Sequence, residues 1–230
     1  MKLISILLLF FSFNLFAADE YSCGSIECDE FKVNISNNAD LQNGLSTYMN
    51  YCYGCHSLQY SRYKRVADDL EIPIDLYVNN LIYDGSKPGE LMKISLSKED
   101  AVNWLGAYPP DLTLEARVRK PEWIYTYLRS YYSDSSRPYG VNNLVYKNVS
   151  MPHVLEDLQS SMTENEYNKV ISDLTNFLVY VSDPSSRERK QMGVYVLLFL
   201  LLFTSFAFLL YREYKNCLLY TSDAADDMQC

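Results

Sequence analysis

A chain of 230 residues, 48% apolar and 21% charged, has room for one ordinary packed domain with attachments and does not have the composition of a disordered protein. Its formal charge of -9, with 20 Lys plus Arg against 29 Asp plus Glu, argues against the basic face that a phosphate backbone demands, so no nucleic-acid partner is expected. An acidic surface can steer a basic protein partner or simply keep the domain soluble, and charge alone does not choose.

The chain opens with Met1 and Lys2, an apolar run from Leu3 to Phe16, and the small residues Ala17 and Ala18 ahead of Asp19 and Glu20. This pattern predicts a secretory signal peptide over residues 1–17, with a mature chain that begins near Ala18. The run is short for a membrane anchor. Export places the mature chain in an oxidising compartment, where Cys23 and Cys28 are expected to close a local disulfide rather than persist as two free thiols.

A first helix is expected from Asp40, as a cap, with Leu41, Leu45, Tyr48 and Cys52 on one apolar stripe. It runs into Cys52, Tyr53, Gly54, Cys55, His56. Two thiols three positions apart can add to the two vinyl groups of a haem, and the adjoining His is placed to ligate iron from one side. CxxC by itself also occurs in redox motifs and zinc sites. A thioredoxin-like site wants a βαβ setting, which the helical stripe contradicts, and a structural zinc needs four ligands. Cys23 and Cys28 would have to supply the missing pair at loose spacing. The motif therefore predicts one covalently attached haem c, with His56 as an iron ligand.

Residues 72–96 are rich in Gly, Pro, Asn and Ser and are expected to be irregular. Ser97 with Asp100 reads as a capping box that opens a helix bearing Trp104 and Leu105. Pro121 suits the first turn of another, on which Trp123, Ile124, Tyr127, Leu128 and Tyr131 recur at helical spacing and are expected to pack as core. Residues 133–152 again read as loop. Helices joined by such long loops leave interior space that a bound cofactor would fill.

An iron that shuttles electrons needs a sixth ligand, and a Met thioether raises the potential. His153 and seven methionines are the candidates. Met1 leaves with the signal, Met192 stands at the membrane and Met228 in the tail. Met49 lies one turn before Cys52, and Met92 and Met162 suit ordinary packing. Met151 is preferred because Pro152 holds the residue before it extended, although a Met is more often core than ligand.

Thr163 with Glu166 forms a further capping box, followed by Tyr167, Val170, Ile171, Leu174, Phe177, Leu178 and Val181 on one face. Through Asp183 and Pro184 the chain reaches an almost uninterrupted apolar run, which predicts a transmembrane helix over residues 191–212. It is apolar all round, with Tyr195 and Tyr211 at belt positions. Basic residues flank both ends, so orientation rests on the signal peptide: residues 18–190 are exported to the periplasm and residues 213–230 form a cytoplasmic tail. Within that tail, residues 217–230 read CLLYTSDAADDMQC and are expected to be a sequencing artefact, since the run from Cys217 to Asp227 resembles the translation of a transposase adapter from sequencing libraries, and no function is assigned to Cys217 or Cys230.

Three runs carry a family resemblance. CYGCHSLQYSRYKRVADDL from Cys52, GAYPPDLTLEARVR from Gly106 and WIYTYLRSYYSDSSRPYGVNNLVYKNVSMPHVL from Trp123 are similar to the cytochrome c1 subunit of the bacterial cytochrome bc1 complex, as is the final span behind its basic cluster. The resemblance implies an all-α, class I cytochrome c-like haem domain with long loops and one C-terminal transmembrane helix, in the bacterial inner membrane. It implies partners too: cytochrome b and the Rieske iron-sulfur protein within a dimeric complex, a cytochrome c as electron acceptor, and membrane lipid. It maps the distal ligand onto Met151 and a haem-propionate contact onto Arg119, with Arg117 close by. The chain would not be an enzyme on its own but an electron-transfer subunit of a quinol:cytochrome c reductase. Two departures stand out: Glu156 occupies a position where bacterial relatives usually carry Trp, and the Cys23/Cys28 arm is not typical. The alternative reading is a haem enzyme or gas sensor with an open iron position.

Overall fold

Asn37, rather than Asp40, caps the first helix of the computed structural model, which describes residues 22–223, with side chains to residue 216. The Asn37 side chain accepts from the Ala39 amide at 3.1 Å and opens α1 (Asn38–Thr47). Asp40 sits in the first turn instead, where a carboxylate favours the helix dipole, and also pairs with Lys169 at 2.8 Å. The helix widens into a π turn over Tyr48–Cys52, closed by the Tyr53 amide on the Tyr48 carbonyl at 2.9 Å. A π turn inserts one residue without breaking the helix. Leu41, Leu45, Tyr48 and Cys52 all face the core, as their spacing predicts.

Next come β1 (Leu58–Arg62), α2 (Tyr63–Asp69), α3 (Ile74–Leu81) and β2 (Leu91–Met92), with β1 and β2 antiparallel around an irregular register. Residues 72–96, expected to be irregular, thus contain a helix. Ile74, Tyr77 and Leu81 are spaced for it, Pro73 precedes its first turn, and Tyr77 is fully buried, so tertiary packing offsets the weak propensity of Asn79 and Asn80.

The capping box of α4 (Lys98–Leu105) forms as predicted: Ser97 Oγ accepts from the Asp100 amide at 3.0 Å. Gly106, at φ 77°, ends this helix in the left-handed conformation. A short turn, α5 (Glu115–Val118), leads to α6 (Pro121–Arg129), with Pro121 in its first turn. Of the α6 residues expected in the core only Ile124 and Leu128 are buried, while Trp123, Tyr127 and Tyr131 are half-buried. The loop expected over residues 133–152 contains a strand: β3 (Tyr131–Ser133) pairs antiparallel with β4 (Val141–Asn143).

After α7 (Glu156–Ser161), the Thr163 hydroxyl accepts from the Glu166 amide at 3.4 Å while Glu166 accepts from the Thr163 amide at 2.9 Å, so the predicted box opens α8 (Glu164–Ser182). Helix α8 is the centre of the domain and packs against α1, α5 and α6. Leu41, Leu45, Tyr48, Ile171, Leu174 and Phe177 are almost wholly buried there, each worth roughly 1.5–3 kcal/mol relative to exposure. The architecture is thus mostly helical with two small two-stranded sheets.

The second unit is α9 (Ser186–Asp223). Within its stretch Ser186–Asn216, which has no buried residues, an 18-residue window has mean hydropathy 2.5, so the helix is long and apolar enough to cross a membrane. The helix begins before the apolar run because Ser186 to Lys190 are compatible with helix. The segment expected to be a signal peptide, residues 224–230 and the side chains of residues 217–223 lie outside the described residues.

Candidate functional site

The π turn delivers Cys52 to the core and the chain then folds back on itself. The Cys55 and His56 amides donate to the Cys52 carbonyl at 3.1 and 2.9 Å. Positions three apart on such a turn share a face. The two thiols, Cys52 buried and Cys55 half-buried, are not bonded to each other, whereas Cys23 and Cys28 are joined as the expected disulfide. Burial pushes the Cys52 thiol up to about 12, with the nearby Cys55 adding to the shift.

His56 is 8% exposed, and its orientation is set by a residue far away in sequence. Its Nδ1 lies 2.7 Å from the Pro110 carbonyl oxygen. A carbonyl only accepts, so Nδ1 carries the proton and Nε2 keeps its lone pair. Nε2 makes no hydrogen bond among the described residues. Burial lowers the pKa of the imidazole against the raising influence of the Pro110 carbonyl and Asp111, so the ring favours its neutral, metal-ligating form. The Pro110 loop is in turn clamped: Leu112 donates its amide to Ser57 at 3.0 Å, and Asp111 accepts from the amides of Gln59 at 2.7 Å and Thr113 at 3.0 Å. Tyr48 donates its hydroxyl to the His56 carbonyl at 2.6 Å. An iron-ligating His characteristically has its other ring nitrogen fixed by such a carbonyl. Adjacent unbonded thiols, one free imidazole nitrogen and its fixed partner are the donor set that a c-type haem requires, and the residues fit that group.

Met151 is half-buried against the same core that contains Cys52. Its loop is held by Arg137, which donates to the carbonyls of Asn148 at 2.8 Å and Val149 at 3.0 Å, and by Asn142, whose side chain accepts from the Asn148 amide at 3.0 Å. The sulfur accepts from the Tyr127 hydroxyl at 3.5 Å. Arg119 follows α5 and lies just before α6. Its guanidinium rests 4.9 Å from the Trp123 ring centroid, and it pairs loosely with Glu115 at 3.8 Å. Met151 and Arg119 are therefore linked through Trp123 and Tyr127, whereas Cys52, Cys55 and His56 form a separate group joined to them by the common core. His153 and Met49, Met92 and Met162 serve other contacts: His153 stacks on Tyr131 and meets Gln159, and the three methionines pack into or against the core.

The Pro110 carbonyl, Asp111, Tyr127 and Arg137 do not stand out as site residues in the sequence. Their roles depend on partners between 2 and 54 residues away, and only the i, i+4 spacing of Trp123, Tyr127 and Tyr131 gives any signal, which reads as core.

Fold and site together define a membrane-anchored helical domain of the c-type cytochrome kind. The model of the Cytochrome C1 family matches residues 87–217, and the chain belongs to that family. Membership implies a covalently bound haem c. The matched stretch begins after His56. The chain is 41% identical over 220 residues to cytochrome c1 of Allochromatium vinosum, covering 84% of this chain and 90% of that one. It is also 35% identical over 232 residues to a protein of Nitrosomonas europaea named ammonia monooxygenase gamma subunit, covering 93% of this chain and 98% of that one. A chain of a hyperthermophilic respiratory complex III superposes with TM-score 0.48 at 18% identity, covering 95% and 94% of the two chains.

Proposed function

We propose that this chain is the electron-transfer subunit of a cytochrome bc1 complex, an oxidoreductase, in which it takes electrons from the Rieske iron-sulfur protein and passes them to a cytochrome c. The observation that carries this reading is the buried His56 ring, anchored through Nδ1 by the Pro110 carbonyl at 2.7 Å beside two unbonded cysteines. Haem, when bound, supplies one-electron iron redox chemistry. Cys52 and Cys55 would hold it through two thioether bonds, and His56 through Nε2 and the Met151 thioether would be its iron ligands. Arg119 would meet a propionate, for which its fork of donors is suited, with its guanidinium resting on the Trp123 ring.

In this reading the subunit binds no quinol and is not catalytic alone. It sits in a dimeric assembly with cytochrome b, with the haem domain in the periplasm of a bacterial inner membrane and the carboxyl terminus of the α9 span in the cytoplasm among lipid. The acidic balance of the chain suits a basic electron acceptor.

The test is a reduced-minus-oxidised visible spectrum of membranes containing the full chain, with a pyridine haemochrome assay and addition of carbon monoxide. A single covalent haem c that ignores carbon monoxide is the expected result. A chain without haem overturns the proposal, and rapid carbon monoxide binding assigns an open iron position and hence an enzyme or sensor.

A further inference from the structure

Trp123 and Tyr127, four apart on α6, share one face of that helix, and Arg119 just before it and Tyr131 just after it extend the row into a ladder. The Arg119 guanidinium sits on the Trp123 ring; Trp123 and Tyr127 stack with centroids 4.9 Å apart and planes at 8°; the Tyr127 and Tyr131 hydroxyls meet at 2.8 Å. The next ring in line is His153, which stacks on Tyr131 at 4.6 Å and 4°. This ladder touches Met151 at two points. The Tyr127 hydroxyl lies 3.5 Å from Sδ, and the Tyr131 hydroxyl 3.4 Å from the Met151 carbonyl oxygen.

We infer that Tyr127 is a positioning residue for the Met151 thioether, its hydroxyl donating to one sulfur lone pair so that the other is presented to the metal. This inference rests on the proposed role of Met151 as an axial ligand. A thioether is flexible, with three rotatable bonds and weak polarity, so packing alone fixes its sulfur poorly. Tyr127 is unusually well fixed for the task. Trp123 defines its ring plane, and Asn143 donates to its backbone carbonyl at 2.8 Å, which ties the helix end to β4. If space-filling were the whole role, Phe would serve equally at this position.

The experiment compares the parent full chain with Tyr127→Phe, Tyr131→Phe and Met151→Ala. Tyr127→Phe keeps the stack on Trp123 and removes one oxygen. We expect unchanged haem content, a lower midpoint potential, a weaker sulfur-to-iron charge-transfer band, and a roughly fivefold increase in equilibrium displacement of the thioether by imidazole, the factor that an ordinary net hydrogen bond predicts. Tyr131→Phe, which loses the carbonyl contact, should shift both readings less. A Tyr127→Phe protein with parental potential, band and imidazole titration overturns the inference. If Met151→Ala retains the charge-transfer band, the assignment of Met151 as ligand fails instead, and the two failures are thereby distinguished.

Discussion

Substituting Ala for Gly44 places one methyl group where α1 crosses α8. A Cβ at that position would lie 2.7 Å from the Asp173 carbonyl carbon and 2.7 Å from Phe177 Cβ, and closer still to the Asp173 carbonyl oxygen. These atoms belong to the backbone and the first side-chain atom of a central helix, so no flexible tip can swing aside and the helices themselves must separate. Overpacking of this kind costs typically up to about 3 kcal/mol. Ala is favoured over Gly in a helix interior by about 1 kcal/mol. The difference is a net loss of about 2 kcal/mol, which for a domain of this size lowers Tm by roughly 4–8 °C. Thermal unfolding of the detergent-solubilised full chain, followed by near-ultraviolet circular dichroism of its packed tyrosines, measures the shift. Gly89→Ala is the control, because nothing lies within 4 Å of a Cβ there. A Gly44→Ala protein as stable as the parent would refute the argument that α1 and α8 touch through this residue.

Met151→Ala should retain covalently attached haem but lose potential and admit carbon monoxide; parental potential with carbon monoxide still excluded would remove Met151 from the iron. Cys55→Ala should leave a single thioether, read by mass spectrometry of the haem peptide, and a peptide still joined to haem at two points would contradict the attachment. The peptide containing Cys23 and Cys28 should be recovered without reductant as an internal disulfide, lighter than its reduced form by the two thiol hydrogens; a full-mass peptide would refute the pairing. Burial alone would raise the Asp84 pKa, but hydrogen bonds from the Tyr53 hydroxyl and from the Ser86 amide and side chain overcome it and hold the carboxyl below its usual range. A depressed folded pKa means that Asp84 contributes stability above the ordinary aspartate value near about 4 and loses it as pH falls through the lower, folded value. Chemical denaturation from about pH 5 down to about pH 2 should therefore show a steeper loss in the parent than in Asp84→Asn; parallel profiles would exclude Asp84 as a contributor.

The features legible in the sequence are those whose cause is local. Capping boxes at Ser97/Asp100 and Thr163/Glu166, Pro121 in a first turn and the α1 stripe all form as their spacing requires, because each partner lies within one helical turn. The apolar span is equally local, a matter of length and composition. The attachment motif is local as well: its Cys and His residues lie within five consecutive positions, and the family resemblance rests on unbroken runs. Sequence and structure part where local signals are ambiguous or outweighed. Asn37 caps α1 instead of Asp40, both being good caps three residues apart. Helix α3 is masked by Asn79, Asn80 and Pro73, and strands of two or three residues are too short to show alternation.

The chain's own sequence thus determined the family and with it the class of cofactor, most helices and the apolar C-terminal span. Only the tertiary structure decided how those residues are prepared. The proton position on His56 depends on a carbonyl 54 residues away, and the setting of Met151 depends on a tyrosine 24 residues before it. Stacking of Arg119, Trp123 and Tyr127 likewise required the helix to form with its face turned to the Met151 loop. A hydrogen bond between distant segments exists only once packing has brought them together, so no pattern within either segment specifies it.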